Sequence, residues 1–514
     1  MTKTFHLALS IALFFTVPAQ AQSRLKIAAE TVLDKLYQVN GNKIYPKPAI
    51  EIVNDERSAA QFIRRTNTIQ IGARMFEVCR VFGKDSLAAL AFIIGHEMAH
   101  SFQINTRQTS FLAYDKEDGI DTNAEKDADI QGLFSAWLAG YNSSELLPYL
   151  IEGVYVAYDL KGKDLPGYPT LEERKRSVKE LRLIVAELIR MYETGNYLAA
   201  IGQYDLATAC FRYVESRYKG RDIYNNMGVN MVLQAMNISE KNVDPYVFPL
   251  EFDCDTRMKK PLADRGPDDL TPEQWQKRGE LLAKAAEYFA LAVKMDYEYL
   301  PAEINYLCAL VLNAKSGEAI EYCERRELVK KARLLNASAA EPDKVKLTLG
   351  LAYAYSRRTE AIPLFDGLKN SADDFVRYAA RFNADVLAGK SPAPRNDDLC
   401  QINFDTDALV DNVKIHRPAT AAWTALDNAA QIEISTVLNP GSELLVFRVG
   451  GQNRLTLQRI RSAVAAPVLN ASSRRNAVAT RQGYIEVCRD KRVALMFDEA
   501  RNRPVEWVKY YEFR

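Results

Sequence analysis

The sequence predicts a multidomain, mainly α protein: an α+β domain over residues 22–180, a helical repeat region over 181–388, and a small β-rich domain over 400–514. Three observations carry this reading. The chain has 514 residues, more than one compact core organises, so two to four domains are expected. Helix-forming stretches fill its middle and give way to short strand-like runs after a Pro- and Gly-containing linker at 389–399. Apolar residues make up 48% and charged residues 26%, the balance of a folded chain. The 67 Lys+Arg against 66 Asp+Glu leave a net charge of +1 with no basic block. Neither nucleic acid nor an anionic membrane surface is therefore an expected partner.

Residues 1–21 read as a signal peptide. Lys3 is the only charged residue before Arg24, Leu7 to Val17 is apolar, Pro18 breaks the run, and Ala19-Gln20-Ala21 offers a small-x-small cleavage site. Cleavage after Ala21 sends the mature chain to the periplasm or the medium. The apolar run is about half of the ~20 residues that span a bilayer, and no later stretch is longer, so no integral membrane segment is expected after cleavage.

The α+β domain begins with a helical stretch from Arg24 to Val39. Ala49 to Val53 and Thr68 to Gly72 read as strands, the second alternating and ending in Gly. Thr68 to Gly72 is also a candidate sheet edge for holding an extended peptide by backbone pairing. A long apolar helix follows from Ser86 to Phe102. Another starts near Asp121 or Asn123 and stops at Gly140, with Asp or Asn and Gly as its boundary signals.

In the helical region, Gly202, Tyr204, Ala207 and Phe211 fit the inner part of a tetratricopeptide repeat. Ala285, Phe289 and Ala292 fit a second helix of such a unit. Leu349, Gly350, Tyr353, Ala361 and Phe365 fit both helices of another. Residues 237–275, with Pro245, Pro249, Pro261 and Pro267, read as a partly extended insertion. In the last domain Leu444 to Val449, Arg454 to Ile460, Tyr484 to Cys488 and Val493 to Phe497 read as strands. The seven cysteines form no C-x-x-C pair, which argues against a zinc knuckle. Export permits disulfides, and Cys400 with Cys488 is a candidate pair.

The chemistry lies at His96-Glu97-Met98-Ala99-His100. Residues four apart share one helix face, so the two imidazoles can grip one metal ion, with Glu97 beside them as a proton acceptor. Two of the chain's four histidines fall in this run. Zinc, the metal this signature favours, takes a third protein ligand and leaves a fourth position for water. His416, in the β-rich domain, is remote in sequence, so a carboxylate is the expected ligand. Glu117, Asp118, Asp121, Glu125, Asp127 and Asp129 are the candidates. Glu125 and Asp129 share a face of a helix whose Ile130, Leu133, Phe134 and Trp137 would pack on the first. That pair can place Glu125 on the metal and Asp129 on the free ring nitrogen of a histidine.

His96-Glu97-x-x-His100 followed by Glu125-x-x-x-Asp129 resembles the gluzincin metallopeptidases of the HtpX and CAAX prenyl protease type. Asn123 to Asp129, the later Ala139-Gly140-Tyr141, and Tyr168-Pro169 with Arg174 are similar to further segments of that family over about residues 50–180. Signal peptide, peptidase domain and tetratricopeptide-like helices together resemble its periplasmic protease-chaperones. The resemblance implies a zincin-like α+β catalytic domain, with Zn2+ on His96, His100 and Glu125, Asp129 behind them and Glu97 as general base. It places Tyr168 and Arg174 near the metal, where either can donate to the oxyanion. Three features depart from the family. Tyr168 stands where a His is usual, the gap from His100 to Glu125 is shorter than in many members, and the β-rich domain has no counterpart.

Two function classes follow. One is an exported zinc endopeptidase acting on protein or peptide substrates, with protein partners engaged by the helical repeats. The other is an exported binding or assembly factor whose metal site is gated or vestigial.

Overall fold

The computed structural model describes residues 4–54, 59–103, 122–163, 169–238, 243–252, 256–257, 270–335, 340–392, 424–426, 430–436, 442–460, 478–480, 483–488, 492–497 and 504–512. Mainly helical, with a sheet-rich C-terminal region, the chain forms two compact units. The first comprises Met1–Arg190 with Arg217–Gly220, and the second Met191–Ser216 with Arg221–Arg514.

In the first unit α1 (Thr4–Asn40) precedes β1 (Ala49–Val53), β2 (Ala60–Ile63) and β3 (Thr68–Gly72). Then come α2 (Ala73–Arg80), α3 (Ser86–Phe102), α4 (Thr122–Leu138), α5 (Leu147–Ala157) and the first part of α6 (Leu171–Ile201). The sheet runs β1-β3-β2, with β1 parallel and β2 antiparallel to β3. Ile50, Phe62, Ile69 and Ile71 are buried on it. β3 is therefore the central strand. Its backbone groups pair on both sides, so the edge expected at Thr68 to Gly72 is not available to a peptide. β2, which packs on α3, lies at the margin among the described strands.

The α3 sequence is apolar nearly all round, and every residue from Ala88 to Ser101 is buried, as such a pattern requires. α3 and α4 meet through two glycines. A Cβ on Gly95 would stand 2.9 Å from the Gly132 carbonyl oxygen, and one on Gly132 would stand 2.6 Å from the His96 nitrogen. Only bare backbones fit at this crossing. Gly140 ends α4 with φ +84°. The N–H groups of Gly140 and Tyr141 donate back to Trp137 and Ala136, both at 2.9 Å, the bond pattern of a left-handed helix stop.

The second unit continues with α7 (Tyr204–Glu215), α8 (Arg221–Met236), and a short β4–β5 pair (Glu251–Phe252 and Thr256–Arg257). It goes on with α9 (Pro272–Met295), α10 (Leu300–Leu312), α11 (Ser316–Arg325), α12 (Leu328–Leu334), α13 (Glu341–Tyr355), α14 (Ala361–Leu368) and α15 (Asp374–Leu387). The insertion expected through 275 ends sooner. Thr271 caps α9 in a reciprocal box with Gln274, and Pro272 occupies the first helical position.

Three helix pairs here share one packing device. A Cβ on Gly195, Gly228 or Gly350 would come within 2.9, 2.5 or 2.8 Å of the ring of Phe211, Phe289 or Phe365 respectively. All three rings are fully buried. Each glycine thus makes the notch that one aromatic fills.

An eight-stranded antiparallel sheet completes this unit. Its strands are β6 (Thr424–Ala425), β7 (Ala430–Thr436), β8 (Ser442–Val449), β9 (Gln452–Ile460), β10 (Val478–Thr480), β11 (Gly483–Cys488), β12 (Val493–Phe497) and β13 (Pro504–Glu512). Their order is β10-β11-β12-β13-β9-β8-β7-β6. Arg459 on β9 is fully buried and binds Glu193 and Glu506. Glu443 stands 3.9 Å away, and the guanidinium lies over the Tyr197 ring. Cys488 is buried and disulfide-bonded, whereas Cys79, Cys210, Cys308 and Cys323 are free. Cys400, its expected partner, lies outside the described residues, as does Cys254.

Candidate metal centre

Helix geometry brings His96 and His100 together. Their Nε2 atoms are 3.1 Å apart, and both side chains are fully buried. Glu125, in the first turn of α4, places Oε2 3.2 Å from the His96 Nε2 and Oε1 3.5 Å from the His100 Nε2. One ligand atom from each of the three residues falls within 4.8 Å of the others. A tetrahedral ion with bonds of ~2.0–2.1 Å to nitrogen and oxygen has ligand–ligand edges of about 3.3 Å, so these separations suit a small divalent metal.

The outer ring atoms are fixed as well. His96 Nδ1 is 2.9 Å from Asp129 Oδ1. Asp129 in turn accepts from Arg174, at 2.8 Å to Oδ2 and 3.2 Å to Oδ1. An ionised carboxylate only accepts, so Nδ1 of His96 donates to Asp129, and Nε2 is the ring atom left to face Glu125 and any ion bound there. Arg174 holds Asp129, and Asp129 aims His96. On His100 the matching partner is Gln103 Oε1, 2.8 Å from Nδ1.

The electrostatics follow from burial and convergence. Burial opposes charge on His96, but hydrogen bonds and charges from Asp129 and Glu125 outweigh it and raise its pKa to about 10. Glu125 is penalised by burial, yet the two histidines hold its pKa far below the usual carboxylate range. Asp129 is also penalised by burial, and Arg174 and His96 hold its pKa low. A set of groups that keeps its carboxylates ionised and gathers a cation between them is built for positive charge.

Of the other expected residues, Glu97 is fully buried on α3. Asp127 is exposed on α4. Tyr168, Glu117, Asp118, Asp121 and His416 lie outside the described residues. Sequence reasoning missed Gln103, Arg64, Gly95 and Gly132. Arg64 donates to the His100 carbonyl at 3.2 Å and also to the Gln103 carbonyl, closing the end of α3. Small residues on both helices of the motif were the available signal for the glycines. A long-range contact such as that of Arg64 leaves no signal in spacing.

No family model matches the chain, and no curated protein matches it. Among the described residues, His96, His100 and Glu125 form the group able to hold a metal ion, with two imidazole nitrogens and a carboxylate as donors.

Proposed function

We propose that this chain is an exported zinc-dependent endopeptidase of the gluzincin type. In this reading the first unit is zincin-like and the helix pairs of the second are tetratricopeptide-like. The observation that carries it is the convergence of His96 Nε2, His100 Nε2 and the Glu125 carboxylate at edges of 3.1–3.5 Å. Two imidazoles and one carboxylate are the donor set of catalytic zinc, which keeps a position open. Zinc, when bound, supplies a Lewis acid that acidifies water and polarises a carbonyl. The protein does the rest. Glu97 takes the proton of the attacking water and returns it to the leaving amine. Asp129 and Gln103 hold the imidazoles in the tautomer that presents Nε2. The helix pairs then serve as the surface on which protein clients are held.

A second reading, a binding factor with a gated site, draws support from burial. His96, Glu97 and His100 have no exposed surface, and the Glu125 side chain is 17% exposed. Metal analysis of the wild type beside Glu97→Gln, with casein hydrolysis assayed on both, separates the two. Equimolar zinc in both proteins, with hydrolysis confined to the wild type, supports the endopeptidase. Zinc in both without hydrolysis in either favours the gated factor. Absence of stoichiometric zinc from the wild type sinks the metal centre.

A further inference from the structure

Gln103 is the first residue beyond α3, three positions after His100, and its two amide atoms reach in different directions. Nε2 is 3.0 Å from the carbonyl oxygen of Ala124. Oε1 is 2.8 Å from Nδ1 of His100. A backbone carbonyl can only accept, so the amide nitrogen must face Ala124 and the amide oxygen must face the ring. The ring atom opposite that oxygen must then be a donor. This fixes the proton of His100 on Nδ1 and leaves the Nε2 lone pair pointing at Glu125 and His96. The hydrogen-bond chain runs from Ala124 O through the Gln103 amide and the His100 ring to the metal position, and its polarity allows one direction.

Ala124 is also the residue before Glu125. The same amide therefore ties down the first turn of α4, which carries the third ligand. We propose that Gln103 is a positioning residue that couples two metal ligands, setting the tautomer of His100 and holding the helix turn that bears Glu125. The proposal rests on the metal-centre reading above. It gives the two histidines unlike supports. His96 is backed by the charged Asp129–Arg174 pair, and His100 by a neutral amide anchored to backbone.

The test uses the full mature chain labelled with 15N-histidine, loaded with zinc for NMR and with Co2+ for affinity and visible absorption. The wild type should show two slowly exchanging ring N–H protons, from His96 and His100. Zinc on Nε2 leaves the ring proton on Nδ1, so Gln103→Leu should make the His100 proton exchange fast, keep that of His96 slow, alter the Co2+ absorption band, and bind Co2+ about 10–100-fold more weakly. Gln103→Glu keeps an acceptor at Nδ1 but loses the donor to Ala124, so the His100 proton should stay slow to exchange while Co2+ binding still weakens. This second variant also covers the case in which Gln103→Leu fails to fold. Wild-type Co2+ affinity in Gln103→Leu would overturn the proposal. So would weaker binding with both ring protons still exchanging slowly, because another group would then hold Nδ1. Fast exchange of the His100 proton in Gln103→Glu would overturn it too. A wild type that takes up no stoichiometric metal would fail the metal-centre reading itself, a result distinct from each of these.

Discussion

Two clusters of buried charge, one in each unit, are built on opposite plans. Around Arg459 a single guanidinium sits among Glu193, Glu506 and Glu443, so the cation is already part of the chain. Around His96 and His100 the Nε2 atoms of two imidazoles and a carboxylate face one another, and the groups behind the rings hold them there. Both clusters bury ionisable groups to nearly the same depth. The first already holds its cation and reads as architecture. In the second, the place between the donors is one that a proton or a metal ion can take. Depth of burial therefore does not mark a candidate site, whereas donor atoms converging on one point do.

The two clusters part most sharply at the candidate metal donors. His96→Ala and His100→Ala should each abolish stoichiometric metal, because two remaining donors hold zinc poorly. Arg459→Ala should leave metal content at one per chain. Elemental analysis of the three proteins checks this, and metal lost from Arg459→Ala as well would erase the contrast. Next in size is Glu97→Gln, which keeps the shape of the side chain but cannot take a proton. Peptide hydrolysis should fall about 10²–10⁴-fold with metal retained. Wild-type turnover in this variant would mean that another group is the base.

Within the metal cluster, Glu125→Ala removes a ligand and Asp129→Asn removes only the charge behind one. Competition with a chromophoric chelator should show the larger loss for Glu125→Ala, and a loss of about 10–100-fold for Asp129→Asn. The reverse ranking would shift the third ligand to Asp129. The smallest effect on function belongs to Arg459. Its replacement by Ala leaves buried carboxylates unpaired and should lower stability by about 3–5 kcal/mol without changing hydrolysis by the folded fraction. Thermal melts with activity measured below the transition separate the two quantities.

The sequence foretold the parts of the molecule that local rules govern. β1, β3, β12 and α3 begin and end where alternation, glycine and apolar runs said they would. His96, His100 and Glu125 converge because one spacing rule places the histidines and one amphipathic face places the carboxylate. What stayed hidden depends on contacts between distant residues. β2 is four residues long and leads into Arg64 and Arg65, which masks any strand signal. Without it β3 reads as an edge. β7 and β13 gain their identity from neighbours in the sheet. Gln103 is a polar residue at a helix end, where side chains of every kind occur, and its role is set by Ala124 across a gap in sequence.

The crossing of Gly95 and Gly132 bears on how this site would look in a genetic screen. The spacing of the two helices, and with it the size of any ion that would fit between His96, His100 and Glu125, is gauged by the absence of two methyl groups. An alanine at 132 would drive a carbon into the backbone of the residue that begins the motif, and α4 would have to retreat with Glu125 and Asp129 aboard. Scored on activity alone, such an allele would be grouped with lesions of the ligands, although glycine offers the ion nothing to bind. A catalogue of inactivating alleles would then map not just the groups that do chemistry, but also the caliper that sets their separation.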